Sequence, residues 1–381
     1  MAGDDTPGRS SLAARGPGCY HGCIMSHDKK LRSQKAGLEP GSLVHLGEVK
    51  TSTPTLMLLE YDSNGLYEQE LSSREQIDGL VRRPGCTLWL NVYGLQDPDL
   101  MAAIGKRFGL HPLVLEDILN TDQRPKVDDY EDYLYLVARL FDYVPHSRQL
   151  ASDQVSIILG KDFVLTFQER PSGTFGALRE RLRANRNQVR RLGADYLAYS
   201  LLDSLVDRYF ALVEQVGDHA EILETSLINR RPRPGVLQSI HRHKRQITTL
   251  RRAIWPLREV LNVLLRSHDG FFRAETVLYL RDVYDHTVHL IESLEDLRDL
   301  LTGLLDVYLS AVSNRVNMEV RALTVVATIF MPATLIAGVF GMNFHVMPWL
   351  EHPDGFWFAM GLMGAIATIM LAAFWRRRLI G

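Results

Sequence analysis

The chain has 381 residues, a formal net charge of −2, 46% hydrophobic residues and 23% charged residues. That length suits two or three domains. The averages are those of an ordinary globular chain, so a membrane reading has to rest on local runs. Its 3 cysteines, an odd number in so long a chain, exclude a disulfide framework and point to a reducing compartment for the soluble part.

Residues 1–37 are rich in Gly, Ser, Arg and Lys and lack apolar periodicity, which predicts a disordered leader. They also lack the continuous apolar core of a secretion signal. Cys19, His21 and Cys23 form a C-x-H-x-C cluster able to bind a soft metal, but it supplies at most three ligands, and an unstructured leader is the plainer reading. Met25 offers a second start site.

Residues 42–167 alternate between strand and short-helix patterns. TLMLLEYD and LYEQELS flank the Ser63-Asn64-Gly65 turn as two strands. SREQIDGLV reads as a short helix ending before Pro84-Gly85, and CTLWLNVYG as a buried strand that includes Cys86. Asp97 caps a helix with Pro98 at its first position, running to Phe108. HPLVLEDILN is a second helix, YEDYLYLVARLFDYV a long strand, and VSIILG pairs with FVLTFQER across Gly160-Lys161-Asp162. The expectation is an α+β domain with a mixed sheet and helices.

From Phe175 to about Arg230 the apolar period becomes 3.6, until Arg-Pro-Arg-Pro-Gly at 231–235 breaks it. A second long helix follows to about Leu265, with Pro256 inside it, and a third starts near Glu275 with no break before Pro332. A helix of that length, roughly 100 Å, suggests a stalk or a coiled-coil-like bundle.

Residues 322–344 carry no charge; at 1.5 Å per residue these 23 positions span about 35 Å, enough for a hydrocarbon core of about 30 Å. A second uncharged run, 355–375, is 21 residues long, with Trp357 and Trp375 near its ends, and leads into Arg376-Arg377-Arg378. The loop between the runs holds Glu351 and Asp354 but no Lys or Arg. The Lys/Arg excess places the arginine triplet in the cytoplasm, and with it the large N-terminal part.

Steps of four and three from Asp306 pass through Ser310, Ser313, Asn317, Val320, Thr324, Ala327, Met331, Thr334, Gly338 and Gly341. This is a 3.5-residue seam, small and polar where a zipper would be leucine-rich. Leu323, Val326, Ile329, Phe330, Leu335 and Ile336 beside it are large and apolar. Such a seam faces water or partner helices. Several copies around an axis would enclose a pore; tight small-residue packing without a pore fits the seam equally well. In a pore, Asn343 would offer amide oxygens without fixed charge to a hydrated ion, which suits the reluctance of Mg²⁺ to shed water. Met331, Leu323 and Val320 would form apolar constrictions, with Asp306 and Asn317 at the cytoplasmic side.

FMPATLIAGVFGMNF, followed by a second uncharged run and a basic end, resembles the CorA-type magnesium/cobalt transporters. The resemblance extends through LLDVYLSAVSNRVN, LRDVYDH, AIWPLREVL, ADYLAYSLLDSLVD and FGLHPLVLEDILN…QRPKV, so that only the leader is unmatched. It implies a funnel-shaped homopentamer in the bacterial inner membrane, both termini cytoplasmic, importing Mg²⁺ and Co²⁺, with Ni²⁺ as a further candidate. It implies an α/β cytoplasmic domain with a long helical hairpin at 38–270 and a stalk at 271–321. A first transmembrane helix at 322–344, an external loop at 345–354, a second transmembrane helix at 355–375 and a basic tail at 376–381 complete the expected organisation. Gly341, Met342 and Asn343 are the implied selectivity ring. Thr334, Met331, Leu323, Val320, Asn317 and Asp306 match the pore-lining set, with Gly338 on the same seam. Asp117 with Glu116 matches one side of an intersubunit regulatory Mg²⁺ site, Asp282 the other, and Asp203 joins them. One departure stands out: the family loop reads Met-Pro-Glu-Leu, and here Trp349 replaces the Glu in Met347-Pro348-Trp349-Leu350. A zinc transporter of the same superfamily and a non-conducting, membrane-anchored metal sensor are the competing readings.

The basic cluster Arg230, Arg231, Arg233, Arg242, Lys244, Arg245, Arg251 and Arg252, with His241 and His243, reads as a solvated face or a collar toward lipid headgroups. Nucleic-acid binding is not expected from it. Asp282, Asp285, His286 and His289 lie on neighbouring helical positions and could chelate a metal. No phosphate-cradling glycine loop and no nucleophile triad is present, so no enzyme activity or ATP-driven pumping is expected.

Overall fold

The computed structural model describes residues 37–71, 73–144, 149–185, 189–229, 235–266, 270–342 and 352–376. These divide into two compact units, one holding the chain up to Gln215 plus Gln246–Glu295, the other Val216–Arg245 plus Asp296–Gly381. Cys19, His21, Cys23, Met25, Asn343 and Trp349 lie outside the described residues.

In the first unit a 7-stranded mixed sheet runs in the order β2-β1-β3-β7-β6-β5-β4. Its strands are β1 (Thr55–Tyr61), β2 (Leu66–Leu71), β3 (Thr87–Tyr93), β4 (Lys126–Asp129), β5 (Tyr133–Tyr143), β6 (Leu150–Gly160) and β7 (Phe163–Gln168). Among these strands β3 and β7 are the one pair that runs parallel. Leu88 to Val92 of β3 are all buried, as expected for a central strand covered on both faces. The pair is tied side to side by a buried polar chain. Trp89 Nε1 donates to Thr166 Oγ1 (3.0 Å), Thr166 donates to Asn91 Oδ1 (2.8 Å), and Gln168 Nε2 donates to the same oxygen (3.0 Å). Every polar group in that chain is satisfied, which is what allows it to lie in a core.

The short helix α1 (Arg74–Asp78) precedes α2 (Pro98–Phe108) and α3 (Pro112–Leu119). Asp97 accepts from the backbone N–H of Asp99 and Leu100, Pro98 opens α2, and Gly109 closes it at φ 68°. His111 caps α3 the same way, its imidazole accepting from Leu113 N at 3.2 Å. Ile104, Phe108, Val114 and Ile118 from these helices join Leu88, Leu90, Val92, Leu165 and Phe167 in one core. Each such side chain contributes roughly 1.5–3 kcal/mol by leaving water.

The opposite sheet face is covered by α4 (Gly176–Arg183) and the first part of α5 (Ala194–Asn229). Trp89 meets Phe175 edge-on at 6.3 Å, and Phe141 packs on Tyr209 at 6.0 Å. Two further helices follow, α6 (Val236–Arg266), with Pro256 inside it, and α7 (Ala274–Phe340) of 67 residues, with Pro332 inside it. The start of α7 is pinned to the start of α5: the Asp195 carboxylate, 6% exposed, accepts from Arg273 N, Nε and Nη2 and from Thr276 Oγ1.

α8 (Gly355–Arg376) is the last of the described helices. Among the described residues two helices, α7 and α8, are long and apolar enough to cross a membrane, with mean hydropathy of 2.1 and 1.9 in their best windows and only 6% of each window buried.

Three local expectations change. Cys86 precedes its strand, which begins at Thr87. The helical period from Phe175 is interrupted between α4 and α5, because Asn185, at φ 49°, and Gly193 lie outside regular helix. The edge strand β4 was not expected from its sequence.

Candidate ion path and regulatory carboxylates

The outer half of α7 stands uncovered in the single chain. Val320, Leu323 and Met331 are 57%, 70% and 71% exposed, and Phe330 and Leu335 beside them 65% and 68%. Asp306, Asn317, Thr334 and Gly338 are exposed as well. Exposure therefore does not separate the seam from its flanks. A concavity of 640 Å³ along this helix includes Met331, Thr334 and Gly338 among its lining residues.

The hydroxyls of Thr324, Thr328 and Thr334 donate to the carbonyls of Val320, Thr324 and Phe330 at 2.8, 2.7 and 2.9 Å. Their protons are thus directed into the helix, and the remaining oxygen lone pairs are left as acceptors. Pro332 supplies no N–H, so the Thr328 carbonyl loses its intrahelical donor. At the outer end Gly341 N donates to Ala337 O (3.0 Å) and Met342 N to Val339 O (3.3 Å), tightening the last turn. A Cβ on Gly341 would lie 3.1 Å from the Ala337 carbonyl oxygen, closer than side chains ordinarily tolerate.

The regulatory candidates fall into two groups. Asp117, on α3, accepts from Lys126 Nζ (2.7 Å) and Gln123 Nε2 (2.9 Å), and Lys126 also reaches Asp128 at 2.5 Å. Burial works against the Lys126 charge, but the hydrogen bonds it donates to Asp117 and Asp128 outweigh it and raise its pKa. Glu116 accepts from the backbone N–H of Gly41. The second group sits on α5 and α7. Burial first, and the neighbouring charge of Asp207 second, push the Asp203 carboxyl up to about 6, with Asp282 adding to the rise and Arg181 and His286 opposing it. Asp282 is exposed and lies 3.8 Å from His286. Phe210 packs against His286 and His289 at 5.7 and 6.1 Å, and Tyr196, Tyr199 and Tyr279 form a ring cluster nearby on the same helices.

Within one chain Asp117 shares no hydrogen bond or ion pair with Asp203 or Asp282 among the described residues. Nor do three or more His, Cys, Asp or Glu side chains come together to hold a metal among those residues, so Asp282, Asp285, His286 and His289 do not form the chelate considered from their spacing. His286 and His289 of that face pack instead against the Phe210 ring of α5. What sequence reasoning missed is Lys126, the cation already seated on Asp117; the QRPKV stretch carried it without showing its partner.

Residues 86–378 match the family described as CorA-like Mg2+ transporter protein. Over 352 residues the chain is 44% identical to the cobalt/magnesium transport protein CorA of Thermotoga maritima, covering 92% of this chain and 99% of that one. Among solved structures, the complete CorA magnesium transporter from Methanocaldococcus jannaschii superposes with a TM-score of 0.71 at 22% identity, over 84% of this chain and 98% of that one. The full-length CmaX protein superposes at 0.69 with 23% identity, over 87% and 99%. The two structures speak for the fold, and the profile and the Thermotoga relative for the lineage: the chain belongs to the CorA family.

Proposed function

We propose that the chain assembles as a homopentamer in the bacterial inner membrane and conducts Mg²⁺, with Co²⁺ and Ni²⁺ as further ions, into the cytoplasm. The observation that carries this reading is the uncovered α7, whose 3.5-residue seam of small and polar side chains ends at Gly341-Met342-Asn343. The kinship with a relative named for cobalt and magnesium transport supports the choice of ions. Asn343 closes the outer end and meets the hydrated ion; Thr334, Gly338, Met331, Leu323, Val320, Asn317 and Asp306 line the path inward. Residues 322–344 and 355–375 span the bilayer, 271–321 form the stalk, and both termini are cytoplasmic. No covalent chemistry is involved. The membrane potential drives entry, worth about 4.6 kcal/mol per 100 mV for a divalent ion.

Internal Mg²⁺ regulates the path. Asp117, with Glu116, of one subunit faces Asp282 and Asp203 of the next, and the bound ion bridges them. When it leaves, repulsion between carboxylates loosens the ring. A ligand shifts such an equilibrium only through its different affinity for the two states. The test is flux into proteoliposomes with Mg²⁺, Co²⁺, Ni²⁺ and Zn²⁺, with and without a pH gradient. Asn343→Ala is expected to abolish selective Mg²⁺ and Co²⁺ entry. Unchanged uptake would reject the path, and zinc entry coupled to protons would replace the ion assignment.

A further inference from the structure

A cleft of about 900 Å³ opens within the first unit, between the segment that follows α3, the face of β5 and β6, and the middle of α6. Four arginines line it, Arg124, Arg139, Arg251 and Arg252, against one carboxylate, Asp122. Like charges gathered at one concave surface repel and raise the local potential for an anion. Among the described residues, three of the four make no ion pair with a carboxylate. Arg139 is fixed by neutral acceptors: Nη1 donates to the Thr121 carbonyl at 2.7 Å, and Nε and Nη2 donate to Ser152 Oγ at 3.0 and 2.7 Å. Its positive charge is therefore held in place and left uncompensated, with two of the guanidinium's five N–H donors still unused. Arg124 and Arg252 are exposed and make no ion pair or hydrogen bond among the described residues. Arg251 alone has an acid, Glu295, at 3.5 Å.

The volume is that of a small-molecule site, typically about 300–1,000 Å³. Guanidinium groups match phosphate oxygens with paired N–H donors. A phosphate ester carries about −1.5 to −2 at neutral pH, so two linked phosphates are enough to balance the charge of this cleft. Trp255 stands at the rim, 40% exposed, with the Arg251 and Arg258 guanidinium carbons 5.2 Å from its ring centre. A planar base can stack there by displacing one of these guanidinium groups or by lying over it.

We propose that this cleft is a binding site for an oligophosphate, free or as a nucleotide, separate from the ion path and from the carboxylates on α3, α5 and α7. It is a side-chain site, in keeping with a sequence that has no glycine loop for phosphate.

The experiment is calorimetric titration of the full-length, detergent-solubilised protein in a divalent-free buffer. The probes are sodium triphosphate, ATP and a hexaglutamate peptide. Triphosphate and ATP are expected to bind, more weakly as salt rises, and Arg252→Gln and Arg124→Gln are each expected to weaken binding by about tenfold or more. Both variants should still carry Co²⁺ into vesicles, which certifies their fold. An ATP advantage over triphosphate that Trp255→Ala removes assigns the nucleotide form; equal affinity assigns the free polyphosphate. Absence of binding by both phosphate probes, affinities unaltered in both arginine variants, or equal binding of hexaglutamate would each overturn the proposal.

Discussion

Asp203→Asn probes the carboxylate group at its most perturbed member. Its carboxyl is raised from 3.8 to about 6, by burial first and by Asp207 second. Between about pH 4 and 6 the folded state keeps a proton that the unfolded chain has released. Stability is therefore full at low pH, falls as pH rises through that window, and stays reduced above it. Part of the carboxyl meets solvent, so screening brings the loss to ~1–2 kcal/mol. At about 2–4 °C per kcal/mol the metal-free protein should lose ~2–8 °C in its unfolding midpoint between pH 4 and pH 7. Asparagine carries no charge at any of these pH values. The variant should show most of that slope removed and should melt higher than the parent at pH 7 in EDTA. Mg²⁺ should reverse the order: it restores the parent, whose ionised Asp203 it neutralises, and gives the variant less. The assay is a thermal melt of the full-length protein in detergent across pH, with EDTA or with Mg²⁺. Identical pH slopes in the two proteins would refute the burial-and-repulsion argument, and equal gains from Mg²⁺ would remove Asp203 from the metal site.

Two further substitutions follow from the same geometry. Lys126→Gln takes away the ammonium that already occupies Asp117 Oδ2 at 2.7 Å. With both side chains about one-third exposed, the lost competition is worth ~1 kcal/mol, so half-inhibition of Co²⁺ flux should need about fivefold less internal Mg²⁺; a curve that does not move would show that Asp117 is no metal ligand. Asp195→Ala should cost ~2–4 kcal/mol, since it strips a nearly buried acceptor from Arg273 and Thr276. Burial opposes ionisation of Asp195, but its bonds to Arg273 and Thr276 prevail and lower its pKa. The stabilisation is thus fully present above pH ~4 and is lost progressively as pH falls toward the lowered folded pKa; urea unfolding at pH 7 and pH 3 should show a smaller deficit of the variant at the lower pH.

Elements governed by local chemistry were readable from the residues alone. Asp97-Pro98 gave the start of α2 because cap and proline act within one turn, and α7 could be traced through its length by period. Elements governed by distant partners were not. β4 is Lys-Val-Asp-Asp, a stretch with no strand preference, and it exists because β5 offers a free edge. The parallel pairing of β3 with β7 joins residues 75 apart through Trp89, Thr166 and Asn91, none of which announces its partner. The metal-site candidates divide on the same line: Gly341-Met342-Asn343 is a contiguous motif, whereas the Lys126 contact to Asp117 depends on a helix, a turn and a strand. The cleft arginines were half visible, Arg251 and Arg252 as part of a basic run, Arg124 and Arg139 only once the sheet had folded against α6.

The polar character of the α7 seam needs a finer reading than composition gives it. Thr324 and Thr334 satisfy their own hydroxyl protons on the helix backbone, so neither demands water or a partner. Ala327 and Gly338 demand only proximity. The middle of the seam is therefore compatible with lipid, with close helix packing, or with a pore. The ends are not neutral in this way. Asp306 and Asn317 are exposed and make no hydrogen bond or ion pair among the described residues, and polar groups of that kind need water or a polar partner. In the proposed pentamer these polar groups meet water at the cytoplasmic mouth, Asn343 does so at the outer mouth, and Val320, Leu323 and Met331 stand between them. An ion that keeps its hydration shell crosses such an apolar stretch only when it is wide enough to stay wet. In that proposed assembly the apolar middle would be the gate, and a larger polar side chain at Leu323 would hold it open more readily than any change at the threonines.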